Sequence, residues 1–322
     1  MKILVTGSAG HLGEALMRTL RERNTPVVGV DILPSPFTDV VGSIADRAVV
    51  DDCMRGVTHV LHAATLHKPH VATHTRQQFV DANVTGTLRL LESSVANKVR
   101  AFIFTSTTST FGDALTPPPG SPAAWITEDV TPIPKNIYGV TKTAAEDLCR
   151  LFHRDQKLPC LILRTSRFFP EEDDVVERRA YDQPNLKANE YLYRRIDVED
   201  VVSSHLLAMD KAPTLGFGKF IITATTPFRR EDLAQLGVDA PSVLAKYYPD
   251  YPTIFAQRGW KMLPTLDRVY VNARARELLG WLPKYDFAYA LRAIAEDRDY
   301  RSPITMSVGA KGYHRTPEAA LG

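Results

Sequence analysis

Short runs of consecutive apolar residues alternate with stretches in which apolar side chains recur every three or four positions, and this rhythm occupies most of the first 225 residues. Lys2-Ile3-Leu4-Val5-Thr6 reads as a strand, and Leu12, Ala15, Leu16 and Leu20 then mark a helix over 11–23. Pro26 opens a second strand ending at Asp31; Pro34 and Pro36 shorten the crossover to a brief third strand at 40–42. Residues 59–64 read as a further strand. Phe79, Val80, Val84, Leu88, Leu91 and Val95 make the apolar face of a long helix, with Gly86 expected to let it approach the strand beneath. Strands at 101–106, 158–164 and 219–223 follow, with a helix over 138–153 between the first two. Strands that are apolar throughout and alternate with helices predict a parallel sheet covered on both faces, an α/β doubly wound fold.

Two stretches break the rhythm. Residues 166–195 are rich in charge and aromatics, and residues 224–322 carry six prolines between Pro227 and Pro283 among short helical patterns. Both follow strand ends, where open α/β sheets bind ligands. The expected organisation is a dinucleotide-binding domain over 1–165 with a returning strand near 217–223, and a smaller C-terminal substrate-binding lobe from 166–195 and 224–322. Residues 301–322 show no strong pattern, and there is no repeat or low-complexity tract.

At 322 residues the chain can bury a substantial core. A formal charge of +2 gives no reason to expect nucleic acid or a membrane surface. The three cysteines, Cys53, Cys149 and Cys160, have neither disulfide nor metal spacing, which suits a reducing compartment. No signal-type segment follows Met1 and no apolar run is long enough to span a bilayer. A cytoplasmic location is expected.

The candidate chemistry begins at Gly7, Gly10 and Gly13, three glycines at three-residue spacing between the first strand and first helix. That spacing serves an ordinary turn or a dinucleotide pyrophosphate held at a helix N-terminus. Asp31, about 20 residues on, favours the second reading, because a carboxylate there accepts ribose hydroxyls and repels a 2′-phosphate. The expected cofactor is therefore NAD, in preference to NADP. Tyr138 and Lys142 share a helical face at i,i+4, where an ammonium and a bound nicotinamide cation both favour phenolate. The Thr105–Thr110 run supplies a hydroxyl at a strand end to hold a substrate oxygen. Arg164, Arg167, Arg178, Arg179, Arg194 and Arg195 suggest an anionic substrate, with Arg178 and Arg179 the ones expected to pair with nearby carboxylates and Arg167 expected to read the ligand. His67, His70 and His74 lack an acidic companion and are interrupted by Pro69, so no metal is expected, and His67 or His70 is expected to face the cofactor or substrate.

Together, Gly7-x-x-Gly10-x-x-Gly13, Asp31, His62-Ala63-Ala64, Asn83-Val84-x-Gly86-Thr87, the hydroxyl run before Phe111-Gly112, Tyr138-x-x-x-Lys142, Asp197–Val201 and Leu279-Gly280-Trp281-x-Pro283 run in order over nearly the whole chain. In this the chain resembles the extended short-chain dehydrogenase/reductases, the NAD-dependent epimerase/dehydratase group. The resemblance implies a Rossmann-type sheet and Thr107, Tyr138 and Lys142 as catalytic residues. It implies cofactor contacts from Gly7, Gly10, His11, Leu12, Gly13, Asp31, Ser43, Ile44, Ala63, Ala64, Asn83, Tyr138 and Lys142. Substrate contacts are expected from Thr107, Thr108, Arg167 and His67. A homodimer is a further implication.

Departures narrow the activity. Ser43 stands where the group usually has an adenine-contacting aspartate. Thr107 is followed by Thr108 and Ser109 in place of the Asp-Glu of dehydratases, which leaves no acid for water elimination. Arg167 and Tyr193 replace an asparagine and an arginine usual for nucleotide sugars. The expected function is NAD-dependent hydride transfer at a secondary alcohol of a sugar or sugar-like substrate, with an anionic one suggested by the arginines. Epimerisation with retained cofactor and non-catalytic dinucleotide sensing are the alternatives.

Overall fold

The computed structural model describes residues 1–171 and 181–312. Seven parallel strands form the central sheet in the order β3-β2-β1-β4-β5-β7-β8. They are β1 (Ile3–Thr6), β2 (Val27–Asp31), β3 (Val40–Val41), β4 (His59–His62), β5 (Ala101–Thr107), β7 (Cys160–Thr165) and β8 (Phe217–Ile222). The missing number belongs to β6 (Ala124–Ile126), which pairs in parallel with β9 (Arg268–Tyr270) outside the main sheet. The helices that flank the sheet are α1 (His11–Glu22), α2 (Arg47–Cys53), α3 (Arg76–Val80), α4 (Gly86–Ala96), α5 (Ile137–Gln156) and, after α6 (Gln183–Glu190), α7 (Val198–Leu215). The Rossmann-type doubly wound sheet read from the sequence is the observed fold.

The uniformly apolar strands have two faces to cover. Ile3, Val5, Leu61, Ile103 and Leu163 pack with Leu16, Val201 and Met209 on the α1 and α7 side. Leu4, Val60, Phe102 and Ile162 pack with Leu90, Leu91 and Cys149 on the other. Period-two alternation sends successive residues to opposite layers, so a strand buried on both sides has no polar positions to spare. A third core gathers Leu186, Val243, Phe255, Tyr285 and Phe287 from the C-terminal half, together with Ala123.

Several elements differ from the expected ones. α3 and α4 are joined by a π-helical turn over Asp81–Thr85, so the long helix is one axis with an inserted bulge. A Cβ on Gly86 would sit 2.7 Å from Ile44, so that glycine admits the segment after β3 and not the strand beneath. Within the chain beyond 224, Ala275, Leu279, Trp281 and Val308 pack into the core of the main sheet. The patternless tail contains a helix, Pro303–Val308, whose cap Ser302 accepts from the Thr305 amide. It is a single turn and a half led by proline, too short for a periodic signal. Among the described residues no helix is long and apolar enough to cross a membrane.

β1 is the point where chain order reverses, with β2 on one side and β4 on the other. The turn after it is set by Gly7 at φ +74°. A Cβ on Gly13 would lie 1.8 Å from the Gly7 carbonyl oxygen and 2.8 Å from Ser8 Cα, both backbone that cannot swing aside. Gly13→Ala should therefore destabilise the fold by at least the 1–3 kcal/mol of an overpacked core, read as a lowered urea midpoint, and weaken NAD binding in parallel.

Candidate active site

At the C-terminal ends of β1, β4 and β5 the sheet opens into a cleft of about 580 Å³, within the range of small-molecule sites. Gly7, Gly10, His11, Leu12 and Gly13 form one wall, with Asp31, Ser43 and Ile44 at one end. Ala63, Ala64 and His67 flank the middle; Thr107, Thr108, Tyr138 and Arg167 stand toward the other end. Arg194, Arg268 and Tyr270 join them there, and sequence reading did not assign the last two. β9 carries both, and a three-residue strand outside the main sheet leaves little pattern to detect.

The dinucleotide end is built by backbone hydrogen bonding. No side chain caps α1 at Gly10, and Leu12 and Gly13 in its first turn line the cleft, which leaves the helix N-terminus suited to a pyrophosphate. Asp31 accepts from the Ala9 amide through Oδ2 and from the Leu33 amide through Oδ1, each at 3.0 Å. Two of its roughly four lone-pair directions stay available for ribose hydroxyls. Ser43 turns its hydroxyl to the Ala45 amide at 3.1 Å.

Ala63 and Ala64 are placed by a buried chain of hydroxyls and one imidazole. Thr6 Oγ1 accepts from both of their amides and meets His62 Nδ1 at 2.7 Å; His62 Nε2 meets Thr87 Oγ1 at 2.9 Å. Burial, with Lys142 nearby, holds His62 well below its ordinary value, so the ring is neutral. Asn83 lies behind the cleft wall: its amide oxygen accepts from the Leu66 amide at 2.9 Å, and its Nδ2 donates to Leu66 O and Thr141 Oγ1 at 3.0 Å each. The π turn aims it inward, so it shapes the loop beside His67.

β5 delivers three successive hydroxyls into different environments. Thr105 Oγ1 meets His205 Nε2 on the α7 side at 2.8 Å. Ser106 donates to buried Glu146 at 2.7 Å. Thr107 faces the cleft and accepts from the Ser109 amide at 3.1 Å. Burial pushes the Tyr138 phenol up to about 12, while the neighbouring Thr107 hydroxyl works the other way. Lys142 is fully enclosed, with Nζ donating to Thr105 O at 2.6 Å and lying 4.1 Å from the Phe104 ring centre. Burial lowers it to about 7, against an opposing pull from Glu146. The expected phenolate-favouring environment is thus absent from the protein alone, because burial disfavours both charges.

The arginine cluster divides. Arg164 is 1% exposed and pairs with Glu146, donating from Nη2 at 2.7 Å and from Nε at 2.9 Å; the expectation that it serves a ligand is corrected, since β7 turns it into the core. Arg195 is bound to Glu190 and lies outside the cleft, whereas Arg167 and Arg194 line it. Arg178 and Arg179, and the acidic Glu172, Asp173, Asp174 and Glu177, lie outside the described residues. Among the described residues no cluster of three metal-ligating side chains occurs.

One element went unread. Phe168–Glu171 crosses the edge of the cleft as a strap whose last three carbonyls are each held by a cation: Phe169 O by Arg195 at 3.0 Å, Pro170 O by Lys187, and Glu171 O by Arg167 at 3.2 Å. Phe169 stacks on His67 with ring centres 5.3 Å apart. Glu171 lies 3.1 Å from His11 at the start of α1 and accepts from the Lys311 amide. Burial raises the Glu171 carboxyl, but His11 and that amide outweigh it and hold it at about 2.

A glycine turn, an uncapped helix start and a carboxylate with free lone pairs meet at the switch point, the arrangement of a dinucleotide-binding fold. Residues 3–218 match the NAD dependent epimerase/dehydratase family, and the chain belongs to it. It is accordingly an NAD-dependent enzyme. It is 28% identical over 185 residues to an uncharacterized UDP-glucose epimerase, YtcB, of Bacillus subtilis (strain 168), covering 51% of this chain and 55% of the relative. The chain thus spans about half the length of that relative. A 3-beta-hydroxysteroid dehydrogenase of Mycolicibacterium neoaurum is 24% identical over 372 aligned positions, covering 99% of this chain and 96% of the relative. Among solved structures, a short-chain dehydrogenase/reductase superfamily protein from Agrobacterium tumefaciens with bound NAD superposes with a TM-score of 0.66 at 25% identity, covering 92% of this chain and 96% of that one.

Glu146 is the interaction beneath the site that is open to direct measurement. Removing one partner of a buried ion pair costs about 3–5 kcal/mol, so Glu146→Gln should lower stability by that order in urea melts. Glu146→Leu combined with Arg164→Met should recover part of the loss. Burial raises the Glu146 carboxyl, but Arg164 and Lys219 outweigh it and depress it. Its stabilisation is therefore full above the unfolded carboxyl value of about 4.3 and is lost as pH falls through the lowered folded value; the variant should flatten that acid limb.

Proposed function

We propose that the protein moves a hydride between NAD and a secondary alcohol of a sugar-like, anionic substrate. The observation that carries the reading is that Thr107 and Tyr138 line the same cleft as the glycine turn and Asp31. Thr107 holds the substrate oxygen and Tyr138 takes its proton; bound NAD supplies the hydride acceptor. Lys142, anchored on the Thr105 carbonyl, adds positive potential that favours phenolate once the site is loaded. Asp31 holds the adenosine ribose. Arg167, with Arg194 and Arg268, recognises a carboxylate or phosphate at the substrate end.

A second reading is epimerisation, in which the oxidised carbon receives the hydride back on its other face. The strap across the cleft edge supports it, because a cofactor enclosed this way is suited to being retained. The test is nicotinamide absorbance with NAD and a panel of uronic acids, sugar phosphates, nucleotide sugars, neutral aldoses and a hydroxysteroid. Sustained NADH formation with an anionic sugar is the expected result. Sugar interconversion without NADH would establish the epimerase, and turnover confined to neutral aldoses or the hydroxysteroid would overturn the anionic reading.

Tyr138→Phe should bind NAD normally and lose turnover by about 10²–10⁴-fold, the contribution of a positioned acid/base. In the wild type, oxidation should speed up as pH rises, since the proton acceptor is the phenolate. Asp31→Ala should weaken NAD and raise the relative use of NADP; an unchanged preference would remove the ribose assignment.

A further inference from the structure

Behind the strap lies a second cavity of about 420 Å³, sharing with the cofactor cleft only the Phe168 side of its wall. Its lining is basic and aromatic. Lys187, Arg195, Arg258, Arg301 and the Glu296-paired Arg298 contribute the cations, and Trp260 and Tyr300 contribute flat rings set edge to face with centres 6.4 Å apart.

The carboxylates on this wall are already engaged. Asp297 holds Arg258, and Asp299 holds Arg301 through both of its oxygens. Asp197 accepts from the Ser302 and Glu199 amides and from the Ser302 and Thr305 hydroxyls. Two groups are left with less than they can use. Arg195 shares the Glu190 carboxylate with Arg194, and its buried Nη2 has no acceptor among the described residues. The Lys187 ammonium donates to a neutral carbonyl, that of Pro170. Burial and the nearby charges of Arg195 and Arg167 lower Lys187 to about 8, the signature of cations crowded together. An anion entering the cavity would relieve that crowding, and a guanidinium offers it a two-pronged contact.

We propose that this cavity binds a small organic anion, a phosphate or carboxylate carried on a flat ring, and that its occupancy is felt in the cofactor cleft through the Phe168–Glu171 strap. The link is direct: Lys187 and Arg195, the cations that would meet the anion, are the donors that hold the Pro170 and Phe169 carbonyls. An anion that draws them away loosens the strap over bound NAD. The inference concerns a site separate from the substrate end of the cleft and stands whichever reaction the enzyme performs.

The test uses the NAD-loaded protein, so that the cofactor cleft is filled, and titrates phenyl phosphate, phenylacetate and inorganic phosphate while following tryptophan fluorescence and NAD dissociation. A saturable response to either ring-bearing anion, weaker or absent with inorganic phosphate, is expected; which of the two binds more tightly identifies the headgroup. Trp260→Phe should remove the signal, and Lys187→Gln, its fold checked by its melting transition, should weaken binding about tenfold or more, a loss of about 1.4 kcal/mol. NAD should dissociate several-fold faster at saturating probe. No saturable response, or a response that both variants leave unchanged, would overturn the site. Unaltered NAD dissociation with the probe bound would overturn the coupling.

Discussion

The active end of β5 depends on a carboxylate that solvent does not reach. Glu146, on α5, accepts from Ser106 of β5, Arg164 of β7 and Lys219 of β8, the last at 2.7 Å. Four elements are thereby locked at one depth in the sheet. Burying such a charge is costly unless its lone pairs are filled and its countercharges are close; here both conditions are met. The same helix carries Tyr138 two turns toward its N-terminus and Lys142 one turn away. A shift of α5 along the sheet would break the ion cluster before it displaced the phenol, so the buried charges act as a positional stop for the site.

Thr105 shows how the sheet's two faces converge on that stop. Its side chain is held from the α7 face by His205 and its carbonyl from the α5 face by Lys142. Burial lowers His205 to about 4, with the Val201 carbonyl pulling the other way, so it is neutral and serves as a hydrogen-bonding spacer. Neutral His62 and His205 and crowded Lys142 share one principle: in a dry interior, a titratable group without a full countercharge is held toward its uncharged form. Tyr138 obeys it too. In the protein alone, burial therefore disfavours the charged forms of both Tyr138 and Lys142.

Legibility followed locality. The glycine turn, Asp31 and the strands of the main sheet announce themselves because period, turn chemistry and strand burial are read within a few residues. Tyr138 and Lys142 were recognisable by spacing, although their energetics were not, since burial is a property of the assembled layers. Arg164 was misread because its partner Glu146 is 18 residues away and nothing local reveals that β7 points it inward. β6 and β9 escaped because three-residue strands have no usable period, and the pairing joins segments about 140 residues apart. The strap escaped for a related reason: its cations come from β7's exit, α6 and the turn before α7, which only the fold brings together.

Those three cations give the strap its character. Hydrogen bonds from charged donors to carbonyls are stronger than neutral ones, yet Lys187 and Arg195 keep donor capacity that an anion would use. The strap is consequently held by interactions that a competing negative charge can replace, while its other side is fixed to α1 by Glu171 and His11. One side is firmly paired, the other exchangeable. A segment built this way transmits the state of the cavity behind it to the cleft in front without rearranging the sheet, because the Glu146 cluster holds the catalytic end of β5 independently of where the strap lies.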